Sequence, residues 1–192
     1  MARLILTDID ETVLKYAEPF QVWCEETGRP TYGNLREGNV NVQTMLGCDW
    51  PTAVEIMTLH LEEGHLDRQP PEPDALAALP GLHAAGYRFV GITACGGPLA
   101  FQKARKRLLE DTFGFEWQAL HVVDLGASKD ALLNAYDPAI WVEDHPGHAQ
   151  RGAALGHRSY LLDRPYNRAL TDPAVIRVTG WGEIAADLLG RA

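Results

Sequence analysis

A chain of 192 residues with 46% hydrophobic and 22% charged content can form one core domain with a small insertion, and it is too short for two full domains. Its net charge of −9 argues against nucleic-acid backbone binding, because that affinity comes mainly from clustered Lys and Arg. No run approaches the roughly 20 apolar residues of a membrane span, and Cys24, Cys48 and Cys95 have neither disulfide nor zinc-site spacing. We therefore expect a cytoplasmic protein with reduced thiols.

Short apolar runs recur along the chain, and each has the length of a buried parallel strand. The first covers residues 3–7 and is followed directly by Asp8. The later runs are 87–93, 120–123, 139–142, 159–162 and 175–178, and the helix candidates are 74–85, 98–112, 128–136, 147–155 and 181–190. This alternation predicts an α/β fold with a doubly wound, mostly parallel, Rossmann-like sheet and a ligand site beyond the carboxyl ends of its strands.

Residues 19–73 interrupt this alternation and are interpreted as a small helical cap inserted after the first strand. They contain two helix-like pieces, 20–26 and 51–63, separated by a loop at 33–47, and they end in a proline-rich run that stiffens the return. Residues 1–18 and 74–192 then form the catalytic core. The candidates for lining this cap are Trp23, Asn39, Asn41 and Trp50, with packing as the alternative role for the tryptophans.

Asp8 and Asp10 lie two residues apart where the first strand should end, so both side chains can point into one crevice. Adjacent unpaired carboxylates repel each other, and the arrangement therefore calls for a divalent cation, a proton or a basic partner. The alternative is that both residues only cap the helix that follows.

Two further segments can contribute to a phosphate site. Thr93 ends the 87–93 strand, and its hydroxyl and the backbone N–H groups of Ala94 and Cys95 can bind phosphate oxygens, although Thr93 is also a candidate helix N-cap. Lys129 lies at a helix start, where the helix dipole disfavours a cation, so we expect an anion nearby. Considered alone, a lysine such as Lys129 is far more typical of a solvated surface than of a catalytic site, so Lys129 counts only together with the other candidates.

A second pair of carboxylates, Glu143 and Asp144, follows the 139–142 strand. Oxygen ligands of this kind suit Mg²⁺, which takes one or two protein carboxylates and keeps several waters. His145 and His148 lack the other ligands that a zinc centre needs, so surface or helix-capping roles are predicted for them.

Taken together in chain order, these residues resemble the four signature motifs of the haloacid dehalogenase superfamily of phosphotransferases over residues 3–162. The residues that carry the resemblance are Asp8-x-Asp10-x-Thr12, the strand-terminal Thr93, Lys129 and Glu143-Asp144. The long insertion lies where the C1 caps of that family occur. Glu11 is a departure, because many relatives carry glycine or another small residue at that position.

The resemblance implies a phosphatase reaction with an aspartyl-phosphate intermediate. Asp8 would attack phosphorus, and Asp10 would protonate the leaving oxygen and then deprotonate the attacking water. Thr93 would hold a phosphoryl oxygen, and Lys129 would pair with Asp8 and the phosphoryl group.

The resemblance also implies the ligands of a Mg²⁺ ion. These would be a carboxylate oxygen of Asp8, the backbone carbonyl of Asp10 and the side chain of Asp144. Glu143 would be either a further ligand or a hydrogen-bond acceptor behind the ligands.

The substrate expected from the resemblance is a small phosphorylated metabolite. Residues 161–167 and 177–184 resemble the end of deoxyribonucleotidase-type members, which favours a nucleoside 5′-monophosphate, and a homodimer is compatible with the sequence.

Two other functions remain open from the sequence. The first is a 3′-phosphatase acting on nucleic-acid ends, but the basic residues on the 98–112 helix (Lys103, Arg105, Lys106 and Arg107) are predicted to form a solvated face. The second is a noncatalytic protein that binds a phosphorylated ligand, although such a protein would be expected to have lost Asp8, Asp10 or Lys129.

Overall fold

Six parallel strands form one sheet in the computed structural model of this protein, which describes residues 3–35, 37 and 40–190. The strands are β1 (Leu4–Thr7), β2 (Arg88–Thr93), β3 (Ala119–Val122), β4 (Ile140–Glu143), β5 (Arg158–Leu162) and β6 (Val175–Val178). Their order is β3-β2-β1-β4-β5-β6, so the direction of winding reverses between β1 and β4. In open α/β sheets, ligands bind at the carboxyl ends of the strands beside this reversal. Every strand predicted from the sequence is confirmed to within one residue at each end.

Eight helices lie among the described residues. They are α1 (Ala17–Glu26), α2 (Val42–Leu46), α3 (Trp50–Glu62), α4 (Pro73–Ala84), α5 (Leu99–Phe113), α6 (Asp130–Asn134), α7 (Pro146–Ala154) and α8 (Trp181–Leu189). None of these helices is long and apolar enough to cross a membrane. Helix α6 begins later and ends earlier than the predicted 128–136.

Successive residues of each strand face opposite sides of the sheet, and helices cover both sides. Ile5 and Phe89 belong to a large apolar cluster that includes residues of α4, α5 and α8. Leu6 and Val90, their chain neighbours, pack with Leu133 of α6 on the opposite face. This period of two is what a pleated strand buried on both faces requires. The predicted doubly wound α/β fold is therefore confirmed.

The segment inserted between β1 and α4 contains α1, α2, α3 and a 3₁₀ turn at His65–Arg68. Many of its buried residues form an apolar cluster separate from the two clusters on the sheet; the members are Ala17, Phe20, Trp23, Cys24, Leu35, Met45, Leu46 and Ala53. Trp23 is therefore a packing residue. Leu61 and Leu66 of the insertion instead pack with Phe101 of α5. Trp50 is 43% exposed, and its ring lies against Gly126 of the core.

The prediction of a continuous loop over 33–47 is wrong, because α2 lies inside it. The Asn41 side chain accepts a hydrogen bond from Thr44 N at 2.8 Å, and Gly47 ends the helix with a left-handed φ of 64°. A cap at each end thus defines five helical residues, a segment too short to show helical periodicity. Asn39, the other asparagine considered for the cap, lies outside the described residues.

His60 makes the stability of the inserted segment dependent on pH. Its ring is 1% exposed and lies between Trp23 and His65, with ring centroids 4.9 and 4.8 Å away. Neither ring nitrogen has a hydrogen-bond partner among the described residues. Burial lowers the pKa of His60 from 6.5 to about 4, so the folded protein binds this proton later than the unfolded chain does.

We expect this difference to lower the free energy of unfolding as the pH falls from about 6.5 towards 4, by about 2 kcal/mol at pH 5. Urea denaturation of the wild type should show a lower free energy of unfolding at pH 5 than at pH 7.5. In His60→Phe the decrease between these two pH values should be smaller by about 2 kcal/mol. The same pH dependence in both proteins would contradict the assignment.

Candidate active site

The carboxyl ends of β1 and β4 bring three acidic side chains together. Carboxylate oxygens of Asp8, Glu143 and Asp144 lie within 4.8 Å of one another, and all three residues are buried. Asp8 N donates a hydrogen bond to Val142 O at 2.9 Å, which extends the pairing of β1 with β4 by one residue. The cluster therefore lies at the point where the winding of the sheet reverses.

Lys129 is the cation of this cluster. It is 2% exposed, and its Nζ lies 2.6 Å from Asp8 Oδ1 and 2.7 Å from Glu143 Oε1. Burial alone would lower its pKa, but the charges of Asp8 and Glu143 outweigh burial and raise it, so the ammonium stays protonated. The position of Lys129 at a helix start predicted a nearby anion. The structure provides two, the carboxylates of Asp8 and Glu143.

Both carboxylate oxygens of Glu143 are occupied by hydrogen bonds. Oε1 accepts from Lys129, and Oε2 accepts from the backbone N–H groups of Asp144 at 2.8 Å and His145 at 2.7 Å. Glu143 therefore fixes the position of Lys129 and of the turn after β4 through these hydrogen bonds. Asp8 and Asp144 are more accessible to a metal ion, because each would give up fewer hydrogen bonds to bind one.

Asp144 is positioned by the turn that follows β5, a role for which the sequence offered no individual signal. The Tyr166 hydroxyl donates a hydrogen bond to Asp144 Oδ2, and Asn167 Nδ2 donates to Asp144 O at 2.7 Å. Asn167 also donates to Leu162 O at 2.7 Å. The 3₁₀ turn Pro165–Asn167 therefore joins the end of β5 to the acidic cluster.

The cluster carries more negative charge than Lys129 can balance. Burial, with the neighbouring carboxylates Asp144 and Asp10, raises the pKa of Asp8 to about 7 against the opposing effect of Lys129. Burial and the Glu143 carboxylate raise the pKa of Asp144 to about 8. Because every donor is a hard oxygen and one Lys leaves excess negative charge, the cluster fits a divalent cation such as Mg²⁺.

Asp10 belongs to a second network and does not contact Lys129. Its Oδ1 accepts from Arg105 Nη2 at 2.6 Å and from Gln69 Nε2 at 3.0 Å, while its Oδ2 accepts from Thr93 Oγ1 at 2.9 Å. Burial would raise the pKa of Asp10, but the Arg105 charge and the three donors lower it below its usual value. The two aspartates predicted to share a crevice are thus held by different cations.

Arg105 was predicted to lie on a solvated basic face, and this prediction is wrong. Its side chain is 0% exposed and pairs with Asp10, whereas Lys106 pairs with Glu110 on the surface of α5. Arg105 lies in the buried stripe of α5 with Phe101, Leu109 and Phe113, at intervals of four residues. This apolar spacing was the signal that could have identified Arg105 as buried.

Thr93 and Ala94 lie at the edge of the same site. Thr93 is buried at the end of β2 and donates its hydroxyl proton to Asp10. Ala94 lines a cavity of about 130 Å³ together with Asp10 and Cys95. The structure therefore brings both residues next to Asp10, although the Thr93 hydroxyl is engaged with that carboxylate.

His145 and His148 lie beside the acidic cluster with ring centroids 4.9 Å apart. Burial lowers the pKa of both imidazoles, and that of His148 falls to about 4. Among the described residues, the side chains close enough together to hold a metal ion are Asp8, Glu143 and Asp144, and neither histidine belongs to this group.

Glu11 links the end of β1 to the inserted segment. Its backbone is left-handed, with φ 57°, a conformation that glycine adopts at lower cost. The Glu11 carboxylate accepts hydrogen bonds from Tyr16 N and Ala17 N, both at 2.7 Å, at the start of α1. These two bonds offset part of the backbone cost and account for a non-glycine residue at this position.

No protein-family model and no curated protein matches the sequence. Solved structures do match its fold. The D,D-heptose 1,7-bisphosphate phosphatase from B. bronchiseptica, complexed with magnesium and phosphate, is 15% identical with a TM-score of 0.63, and the match covers 100% of both chains.

Two further solved structures agree with this match. The L-2-haloacid dehalogenase from Xanthobacter autotrophicus, with chloropropionic acid covalently bound, is 13% identical over 100% of both chains with a TM-score of 0.61. CbbY from Rhodobacter sphaeroides, in complex with phosphate, is 15% identical over 96% of both chains with a TM-score of 0.58. At this level of identity the matches show a shared fold, so the chain has the same α/β fold as these three structures.

Proposed function

We propose that this protein is a Mg²⁺-dependent phosphomonoesterase of the haloacid dehalogenase superfamily that works through an aspartyl phosphate on Asp8. The observation that carries the proposal is the buried Asp8–Lys129 pair, 2.6 Å apart, within an acidic cluster at the carboxyl ends of β1 and β4. A carboxylate nucleophile beside a fixed ammonium can attack phosphorus while the ammonium neutralises the phosphoryl oxygens.

The side chains of Asp8 and Asp144 and the backbone carbonyl of Asp10 would hold the ion. When bound, Mg²⁺ would neutralise charge on the phosphoryl group during its transfer. Glu143 acts behind the ligands, because its oxygens are occupied by Lys129 and by the backbone of Asp144 and His145. These hydrogen bonds support the second of the two roles that the resemblance left open for Glu143.

In the first step Asp8 attacks phosphorus, and the bond to the leaving oxygen breaks as Asp10 donates a proton to that oxygen. In the second step Asp10 takes a proton from water, and the oxygen of that water displaces Asp8 from phosphorus. Arg105 favours the ionised form of Asp10, which is the form needed to accept the proton in this second step. The proton that Asp10 then holds is the one it donates to the leaving oxygen in the first step of the next turnover. Lys129 and the Ala94 N–H would hold phosphoryl oxygens, and Thr93 can join them when its hydroxyl leaves Asp10.

We further propose that residues 19–73 form a cap over this site. Their own apolar cluster supports a distinct module, and Leu61 and Leu66 pack this module against Phe101 of the core. Gln69 connects the end of the module directly to Asp10. A nucleoside 5′-monophosphate is the favoured substrate within the class of small phosphorylated metabolites. The cytoplasmic location and a homodimer stay predictions.

The remaining candidate functions fit the site less well. A halide departs as an anion and needs no proton, so a dehalogenase would use only the base role of Asp10 and not its acid role. The burial of Arg105 removes one cation from the surface that a nucleic-acid 3′-phosphatase would use. A noncatalytic phosphate-binding protein would not need Asp8, Asp10 and Lys129 together.

The test is phosphate release from p-nitrophenyl phosphate, with and without Mg²⁺. We expect EDTA to abolish the activity and Mg²⁺ to restore it. Asp144→Asn should raise the Mg²⁺ concentration needed for half-maximal activity by about 10-fold to 100-fold. Mg²⁺ should also raise the melting temperature of the wild type more than that of Asp144→Asn.

The control for this test is Asp137→Asn, which changes an exposed carboxylate outside the cluster and should behave as the wild type does. Phosphate release that is unaffected by EDTA would contradict the metal assignment. Chloride release from 2-chloropropionate with no phosphate release from any ester would favour the dehalogenase instead.

A further inference from the structure

A small cavity opens beside Asp10, between the cap and the turn after β2. It has a volume of about 130 Å³ and is lined by Asp10, Tyr16, Met57, Leu61, Leu66, Ala94, Cys95 and Leu125. Apart from Asp10, the side chains that line it are apolar or weakly polar. A group that enters this cavity leaves water for a largely apolar surface next to the proposed acid–base carboxylate.

A larger groove continues from this cavity. Its volume is about 700 Å³, and it shares Leu61, Cys95 and Leu125 with the cavity. The charged residues that line it are all acidic: Glu62 and Asp67 from the cap, and Asp124 from the core. None of the described residues that line the cavity or the groove is a lysine, an arginine or a histidine.

The proposed reaction determines which part of the substrate meets these surfaces. The phosphoryl group must lie against Asp8 and Lys129, and the leaving oxygen must reach Asp10. The alcohol portion of the substrate therefore extends past Asp10 into the cavity, and any longer alcohol continues into the groove. A second phosphate or a carboxylate on that alcohol would lose water without gaining a cation and would face three carboxylates.

We propose that this leaving-group site selects phosphate monoesters whose alcohol is uncharged or cationic with an apolar portion, and that it rejects alcohols bearing a second anion. The proposal rests on the proposed phosphatase function. A nucleoside is an uncharged alcohol and belongs to the selected class. A bisphosphate, such as the substrate in the name of the B. bronchiseptica structural neighbour, belongs to the rejected class.

The test compares esters of similar size that differ in the charge of the alcohol. The pairs are phosphoethanolamine with 2-phosphoglycolate, and adenosine 5′-monophosphate with adenosine 3′,5′-bisphosphate. We expect kcat/KM for the first member of each pair to exceed that for the second by at least about 10-fold. Because Glu62, Asp67 and Asp124 are exposed, raising the salt concentration should narrow this difference.

Charge-reversal variants identify the groove as the source of this preference. In the double variant Glu62→Lys/Asp124→Lys the ratio of kcat/KM between the members of each pair should shift by about 10-fold towards the anionic ester. Asp137→Lys makes the same kind of change at an exposed position outside the groove and should leave the ratio as it is in the wild type. Glu62, Asp124 and Asp137 are all exposed, so both variants should fold as the wild type does.

The two proposals fail in different ways. Hydrolysis of p-nitrophenyl phosphate with equal rates for both members of each pair would overturn the charge selection and leave the phosphatase function standing. A ratio that shifts as much in Asp137→Lys as in the groove variant would also overturn the assignment to the groove. Absence of phosphate release from every ester would overturn both proposals.

Discussion

Replacing Asp8 with asparagine is expected to abolish Mg²⁺-dependent phosphate release, with kcat falling by at least about 10⁴-fold. Asparagine keeps the shape of the side chain but cannot form the phosphoenzyme. Steady-state phosphate release measures the loss. Single-turnover labelling with a ³²P-phosphate ester should give an acid-stable labelled protein for the wild type and none for Asp8→Asn.

The same substitution should not unfold the protein. Burial raises the pKa of Asp8 to about 7, so the ionised carboxylate destabilises the fold at higher pH when no metal is bound. Lys129 keeps its other partner, Glu143, in the variant. At pH 8 without Mg²⁺ the melting temperature of Asp8→Asn should therefore equal or exceed that of the wild type. A variant that folds and still turns over substrate at more than a few per cent of the wild-type rate would exclude Asp8 as the nucleophile.

The second large effect is expected at Arg105, where Arg105→Met should lower kcat by about 10²-fold and also lower the free energy of unfolding. The variant removes the cation that orients and ionises Asp10, and a positioned acid–base group contributes about 10² to 10⁴ in rate. Two nitrogens of the buried guanidinium, Nε and Nη1, have no hydrogen-bond partner among the described residues. Removing them offsets part of the roughly 3–5 kcal/mol that losing one partner of a buried ion pair costs, so we expect the free energy of unfolding to fall by about 2–4 kcal/mol.

A double-mutant cycle separates this positioning role from general damage to the fold. If Arg105 acts through Asp10, then Arg105→Met should have little further effect on kcat in an Asp10→Asn background. Arg105→Lys keeps the charge without the planar fork and should recover part of the activity. Lys103→Met, at an exposed position of the same helix, is the control and should be neutral. Independent, additive losses in the double variant would contradict the role of Arg105.

Local pattern was sufficient for the strands and most helices because burial on both faces of a parallel sheet requires short continuous apolar runs. The helix at Val42–Leu46 was missed because it is too short to show a pattern of apolar residues. Five residues between an Asn cap and a Gly cap give no periodicity, and their stability comes from Met45 and Leu46 packing into the apolar cluster of the insertion. Capping residues were present in the sequence, but only packing made them decisive.

For the site, the sequence identified the residue types and their strand-end positions, and strand order decided their partners. Asp8, Glu143 and Asp144 meet because β1 and β4 are neighbours, although they are far apart in the chain. The partners of Asp10 could not be read in this way. Arg105 carries a charge that usually indicates a surface, and Gln69 lies at the end of the insertion. Only the tertiary packing of α5 and of the end of the insertion brings both side chains to Asp10.

The sequence by itself thus determined the α/β class, the strand ends that bear carboxylates, and Lys129 as a cation in need of an anion, because these depend on local spacing and elementary charge balance. The tertiary structure alone decided the ion pairs: Lys129 pairs with Asp8 and Glu143, and Arg105 pairs with Asp10. It also decided that the groove beyond Asp10 is lined by apolar and acidic side chains. The physical reason is that ion pairing and desolvation depend on distances between residues remote in the chain, which the order of strands and the docking of helices set.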